Sequence, residues 1–135
     1  MVSGFFTISG NVERIGDHAD NLAGYTRMLA GKDIAFSADA QAEIEQMREI
    51  SLQAINSLLS PAAGTPEWLS EVAQMEQQID DLTDSFRLSQ LERMRVGVCN
   101  QEACIIYSEL LTDFERIGDH VLNIAEELAK AQESL

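Results

Sequence analysis

Residues 11–23, Asn-Val-Glu-Arg-Ile-Gly-Asp-His-Ala-Asp-Asn-Leu-Ala, return as residues 113–125, Asp-Phe-Glu-Arg-Ile-Gly-Asp-His-Val-Leu-Asn-Ile-Ala, with eight of thirteen positions identical. Two unrelated amphipathic helices share Leu, Ile and Ala by chance; they do not share a Glu-Arg-Ile-Gly-Asp-His string. The chain therefore contains an internal duplication, and whatever fold it adopts must house the same helix twice. In each copy Glu and Asp stand four residues apart, Glu13 with Asp17 and Glu115 with Asp119. On a helix that spacing stacks them about 6 Å apart on one face, close enough for both to reach one cation. Like charges so placed cost a bare helix a few tenths of a kcal/mol, and the Gly between them, Gly16 or Gly118, costs roughly 1 kcal/mol more. A multivalent cation would offset both costs.

Three- and four-residue apolar steps predict four helices. The first spans about 3–30, with Phe5, Ile8, Val12, Ile15 and Leu22, and is stopped at Gly31-Lys32-Asp33. It starts almost at Met1 without a cap, so the chain reads as a fragment cut just upstream. The second, about 38–60, follows Ser37 as N-cap and stops at Ser60-Pro61. The third, about 66–95, opens on Thr65-Pro66 and ends at Gly97. The fourth, about 101–132, follows Asn100 and carries Ile106, Leu110, Phe114, Ile117, Val121 and Ile124. Short connections between long helices predict one all-α domain over 1–135, an antiparallel up-down-up-down four-helix bundle.

In such a bundle the turns near residues 33 and 98 share one end. Counting 1.5 Å per residue back from them puts both copies of the motif at one level. The third helix offers its own ladder, Glu76, Asp80 and Asp84, with Asp80 at that same level. Three pairs, Glu13 with Asp17, Glu76 with Asp80 and Glu115 with Asp119, are thus expected side by side. Glu115 and Asp119 lie off the main apolar stripe, so a metal there would sit in a surface groove between helices. His18 and His120 follow their Asp by one position, about 100° around the helix, which favours contact between helices over ligation. Asn21 and Asn123 extend the carboxylate face, as groups that orient a site or as ordinary helix contacts.

The net charge of −14 argues against nucleic acid and anionic membrane surfaces as partners and for metal cations. No apolar run approaches the 18 residues of a membrane span, and the N-terminus lacks the basic and apolar regions of a signal peptide. Cys99 and Cys104, five apart, suit neither a zinc knuckle nor a CxxC pair and are expected to be reduced packing residues of a cytosolic protein.

Glu-Arg-Ile-Gly-Asp-His followed by Asn-Ile-Ala resembles the signature of the PhoU family of phosphate-uptake regulators. Leu91-Glu-Arg-Met-Arg-Val-Gly-Val-Cys-Asn100, leading into the fourth helix, is similar to the cytoplasmic PhoU-like region at the C-terminus of bacterial sodium/phosphate cotransporters. In this resemblance the first helix matches the last helix of one three-helix unit, and the other three match a complete second unit. The family implies E/D-x-x-x-D pairs on neighbouring helices that bind multinuclear clusters of iron, zinc or another divalent metal. Carried over, these are Glu115 and Asp119 with Glu76 and Asp80 as partner pair. Glu13 and Asp17 match the other unit's motif without its partner helix: a half-site, a site filled by a second chain, or an empty one.

The resemblance implies a regulatory domain in phosphate homeostasis that is not an enzyme. It would be cytoplasmic, at the inner face of the membrane, forming a homodimer or touching a membrane transporter, and would meet inorganic phosphate through metal. The competing reading of the carboxylates is a solvated acidic face paired with Arg14 and Arg116, which would make the chain a metal-free oligomerisation module. An oxidase of the dimetal type asks for Glu-x-x-His on two helices, and here Ile15 and Ile117 precede each His by three. A phosphotransfer histidine would want a basic residue soon after it, where Asn21 and Asn123 stand.

Overall fold

The computed structural model describes residues 2–134. It contains α1 (Val2–Gly31), α2 (Ala38–Ser57), α3 (Pro66–Arg95) and α4 (Gln101–Glu133), with no strand among the described residues. Local chemistry sets the ends. Ser37 Oγ accepts from the Ala40 amide at 3.2 Å and Thr65 Oγ1 from Trp68 at 3.2 Å. Asn100 Oδ1 takes the amides of Glu102 at 2.8 Å and Ala103 at 3.3 Å, so α2, α3 and α4 each occupy orphan donors of their first turn. α3 stops at Gly97, whose φ of 75° favours a residue without Cβ. α2 ends at Ser57, short of the 60 expected, because Leu58 to Ser60 tighten into three-residue turns ahead of Pro61, which disfavours helical backbone before it. The Trp68 indole closes that end by donating to the Ser57 carbonyl at 2.8 Å.

Cross-helix bonds give the directions. Trp68 meets Ser57 at one end of α2 and α3 while Arg93 meets Glu43 at the other; Arg87 reaches Ser108 and Thr112 between α3 and α4. Consecutive helices are antiparallel, in the expected order. The ring does not close, however. α2, α3 and α4 pack on one another, whereas α1 lies against α4 alone. The core is accordingly that of a three-helix unit, with Met47, Val72, Ile79, Tyr107, Leu111 and Val121 all but sealed from solvent, and α1 has no buried residue at all. Ile15, Leu22, Tyr25 and Leu29 of α1 rest half-buried against this core.

Glu43, Arg93 and Tyr107 bind the three-helix unit together. Arg93 grips Glu43 through both terminal nitrogens, at 2.6 and 3.3 Å, the Tyr107 hydroxyl donates to the same carboxylate, and the guanidinium lies 5.2 Å from the Tyr107 ring centre. Cys99 and Cys104 are not the separate thiols expected, since their sulfurs are joined in a disulfide. The Asn100 cap folds Cys99 back beside the first turn of α4 and leaves the two Cα atoms 6.1 Å apart, within bridging range.

Candidate metal centre

The duplicated motif uses two sides of its helix for two purposes. One side makes the α1 to α4 contact. His18 Nδ1 donates to Asp113 Oδ1 at 2.8 Å and Asn21 donates to the same oxygen at 3.3 Å. Across the contact His120 Nδ1 donates to Asn11 Oδ1 at 2.9 Å and Asn123 donates to it at 3.2 Å. Asn11 and Asp113 are equivalent positions of the duplication, as are His18 and His120, so the two helices meet about a pseudo-two-fold axis. The two imidazoles stack at that axis, their centres 5.4 Å apart. Burial, and then the neighbouring His18 ring, hold His120 below the ordinary histidine range. His18, His120, Asn21 and Asn123 all hydrogen-bond across the α1 to α4 contact, and Asp113, itself buried, is the acceptor on which half of these bonds converge. In the sequence alone, Asn11 and Asp113 were visible as the first letters of the repeat and nothing more.

The other side carries the carboxylates, and here the two copies part ways. On α4 it faces α3: ligand oxygens of Glu76, Asp80 and Asp119 all lie within 4.8 Å of one another. Gly118 makes this approach close, because a Cβ added there would come 3.0 Å from Ile79 Cδ1. Glu115 borders the group, its carboxyl raised above the usual range by burial and then by the charges of Asp80 and Asp119. On α1 the equivalent side meets no helix. Glu13 and Asp17 are exposed, and since α1 lies across α4 from this seam they do not join the other two pairs. Up-down-up-down order set the level of each pair but not which side of α4 received α1.

Three carboxylates this close cannot all be charged at little cost. Burial first, then the hydrogen bond and charge of Asp80, then those of Asp119, push Glu76 up to about 8; a proton holds the place a cation would take. The donor set fits a metal: all oxygen, Glu76 and Asp80 half-buried and Asp119 exposed, on two rigid helices, with Glu115 in reserve. Oxygen-only ligation suits hard divalent ions of the magnesium, calcium or manganese kind better than a structural zinc, which prefers Cys and His. Arg87, which donates to the hydroxyls of Ser108 at 3.1 Å and Thr112 at 2.9 Å, lies next along the seam and acts on Glu115 through its charge.

The raised carboxyls carry a pH dependence. Between about 4.5 and about 8 the folded, metal-free chain retains a proton on Glu76 that the unfolded chain has released, so stability falls as pH rises through that window. The exposed Glu45 and Glu92, held low by Arg48 and Arg95, titrate beneath it. His120, held low, acts in the opposite sense below about 6.5, where the unfolded chain binds a proton that the folded chain does not, so thermal melts in chelator are expected to drop from about pH 6.5 to 8, and to drop less in Glu76→Gln. A melting temperature that rises over this range, or a Glu76→Gln profile parallel to the parent's, would contradict the shared proton.

The fold and seam define an all-α protein built on a duplicated helix, with a carboxylate site between two helices of a three-helix unit. The chain belongs to the PhoU family, since the family described as PhoU domain matches residues 44–128, which takes in most of α2 with α3 and α4 and leaves out α1. The phosphate-specific transport system accessory protein PhoU homolog 1 of Thermotoga maritima is 27% identical over 121 residues, covering 89% of this chain and 51% of that protein. The PhoU homolog of Rhizobium meliloti is 28% identical over 126 residues, 93% of this chain and 52% of the relative. That of Xylella fastidiosa strain 9a5c is 31% identical over 120 residues, 88% and 50%. The chain spans about half the length of these curated relatives. No solved structure matches it.

Proposed function

We propose that this chain is a regulatory domain of phosphate transport whose α3 to α4 seam binds divalent cations. The convergence of Glu76, Asp80 and Asp119 carries the metal reading; the relatives, named as accessory proteins of phosphate-specific transport systems, support the regulatory one. Both copies of the motif spend their His and Asn side chains on helix packing, which leaves a non-enzymatic role as the better fit. No helix among the described residues is long and apolar enough to cross a membrane. From the relatives' place in phosphate transport the domain is read as acting on a phosphate transporter at the inner, cytoplasmic face of the membrane, where the reducing thiol pool would hold Cys99 and Cys104 open as thiols. In this reading Glu76, Asp80 and Asp119 hold the cation, Glu115 completes the set, and α4 is pinned to α3. A bound cation supplies the positive charge that phosphate needs on a chain of net charge −14. Arg87 adds a fixed positive charge beside it.

The test is a titration of protein purified without chelator or histidine tag. Manganese, calcium and iron are followed by calorimetry and elemental analysis, and labelled phosphate by equilibrium dialysis. One or more ions per chain, with phosphate retained by the loaded protein alone, is expected. Metal that stays far below one per chain with all three ions would sink the reading.

A further inference from the structure

We propose that Cys99 and Cys104 form a reversible oxidation site, a thiol pair that peroxide closes and small thiols reopen, whose state sets how firmly the first turn of α4 is held. The helix cap supplies the argument. With Asn100 as N-cap, Cys99 directly precedes the cap and Cys104 is the fourth residue of the helix. Helix starts commonly bring the side chains at these two positions into contact, as an apolar pair that fixes how the chain enters. Here both are sulfur. Asn100 Oδ1 holds the amides of Glu102 and Ala103, and the Cys104 amide donates to the Asn100 carbonyl at 2.9 Å. The capped backbone therefore keeps the two thiols within bridging range when the bond is open. In the cytoplasmic reading above the open pair is the resting state, but the site does not depend on that placement.

The two sulfurs are placed for different parts of the chemistry. Cys104 is buried and Cys99 half-buried in the turn after α3, so peroxide meets Cys99 first. The α4 N-terminus and the buried Gln90 side chain, which donates to Cys99 Sγ at 3.0 Å, favour the thiolate there. The Cys99 thiolate takes one oxygen from hydrogen peroxide and hydroxide is released, leaving a sulfenic acid. Cys104 attacks that sulfur, the S–S bond forms, and the sulfenic hydroxyl leaves with the Cys104 proton as water. In reverse, a small thiol attacks Cys99, Cys104 departs as thiolate and is protonated, and a second small thiol frees Cys99 while the two small thiols leave as their own disulfide. Closure braces the start of α4, and Gln90 carries it further. Its Oε1 accepts from Arg93 Nε at 2.8 Å, which joins the Cys99 sulfur to the Glu43, Arg93, Tyr107 clamp.

The test uses the full chain, reduced and held in chelator, so that no readout depends on metal in the α3 to α4 seam. It is treated with a slight excess of hydrogen peroxide, then with buffers of reduced and oxidised glutathione, and followed by intact mass, thiol alkylation and amide exchange. Expected are loss of two hydrogens and of both alkylatable thiols within one chain, and reopening within the glutathione range. Amides 104–107 should exchange about tenfold slower or more in the closed form. Cys99→Ser should show the open form's exchange in every buffer. Asn100→Ala removes the cap and neither sulfur, and should shift the equilibrium toward thiols by roughly threefold or more. A bond that resists about 10 mM reduced glutathione in the folded chain is a permanent link and overturns the proposal. So does peroxide that yields sulfinic acid or cross-linked chains in place of the internal bond, exchange that is alike in both states, or an Asn100→Ala chain that closes as readily as the parent.

Discussion

The triple variant Glu76→Gln/Asp80→Asn/Asp119→Asn is expected to lose divalent-cation affinity by more than about 100-fold, since disturbing groups that merely orient ligands already costs 10- to 100-fold. Without metal it should be more stable than the parent. At about 5 Å and an effective dielectric near 20, each close carboxylate pair repels by roughly 3 kcal/mol before screening. The half-exposed seam and the proton on Glu76 reduce that to a net of about 1 kcal/mol, a gain of some 2–6 °C in melting temperature. The two effects have opposite signs, which separates a site from a structural cluster. A variant that binds manganese or iron as the parent does would place the metal elsewhere. One that melts lower than the chelated parent would show the carboxylates to be part of the packing.

The second large effect concerns Arg93. Replacing it with alanine leaves the Glu43 carboxylate, now 14% exposed, with the Tyr107 hydroxyl as its remaining partner of the three, and strips the cation from the Tyr107 ring. Removing one member of a buried pair costs about 3–5 kcal/mol, here roughly 10 °C or more of melting temperature. The double variant Glu43→Gln/Arg93→Met removes both charges, keeps an apolar stem against Tyr107, and should recover most of the loss. A loss under about 0.5 kcal/mol in Arg93→Ala, or a double variant no better than the single, would show the three groups to be uncoupled. Tyr107 itself cannot readily ionise, because burial and then Glu43 push its hydroxyl upward.

The features legible in the sequence are those set within one helix. Ser37, Thr65-Pro66 and Asn100 announced three helix starts because capping is a matter of three or four adjacent residues. The Glu76/Asp80 ladder reached the level of Asp119 because rise per residue is fixed. What did not follow was azimuth between helices. Glu115 and Asp119 looked equivalent as ligands, yet Asp119 points into the group and Glu115 stands at its edge. The place of α1 was hidden for the same reason: an antiparallel order is compatible with a closed ring or with a helix leaning on α4 alone. The Glu43, Arg93, Tyr107 clamp joins three helices over as many as 64 residues of chain, with no local pattern to betray it. His18 and His120 follow their Asp by about 100° on the wheel, and their rings meet between α1 and α4.

Trp68 is the one tryptophan of the chain, 3% exposed and hydrogen-bonded where α2 and α3 meet. The backbone of α1 runs alongside α4 and alongside neither of those helices. The two parts therefore have separate reporters. Indole emission follows the cooperative melting of the three-helix unit and is blind to α1, while backbone ellipticity counts all four helices. α1, with nothing buried, has little to hold it but α4, and its amides should exchange with solvent through an opening that leaves Trp68 silent. Any single melting temperature for this protein is then a property of the probe as much as of the chain.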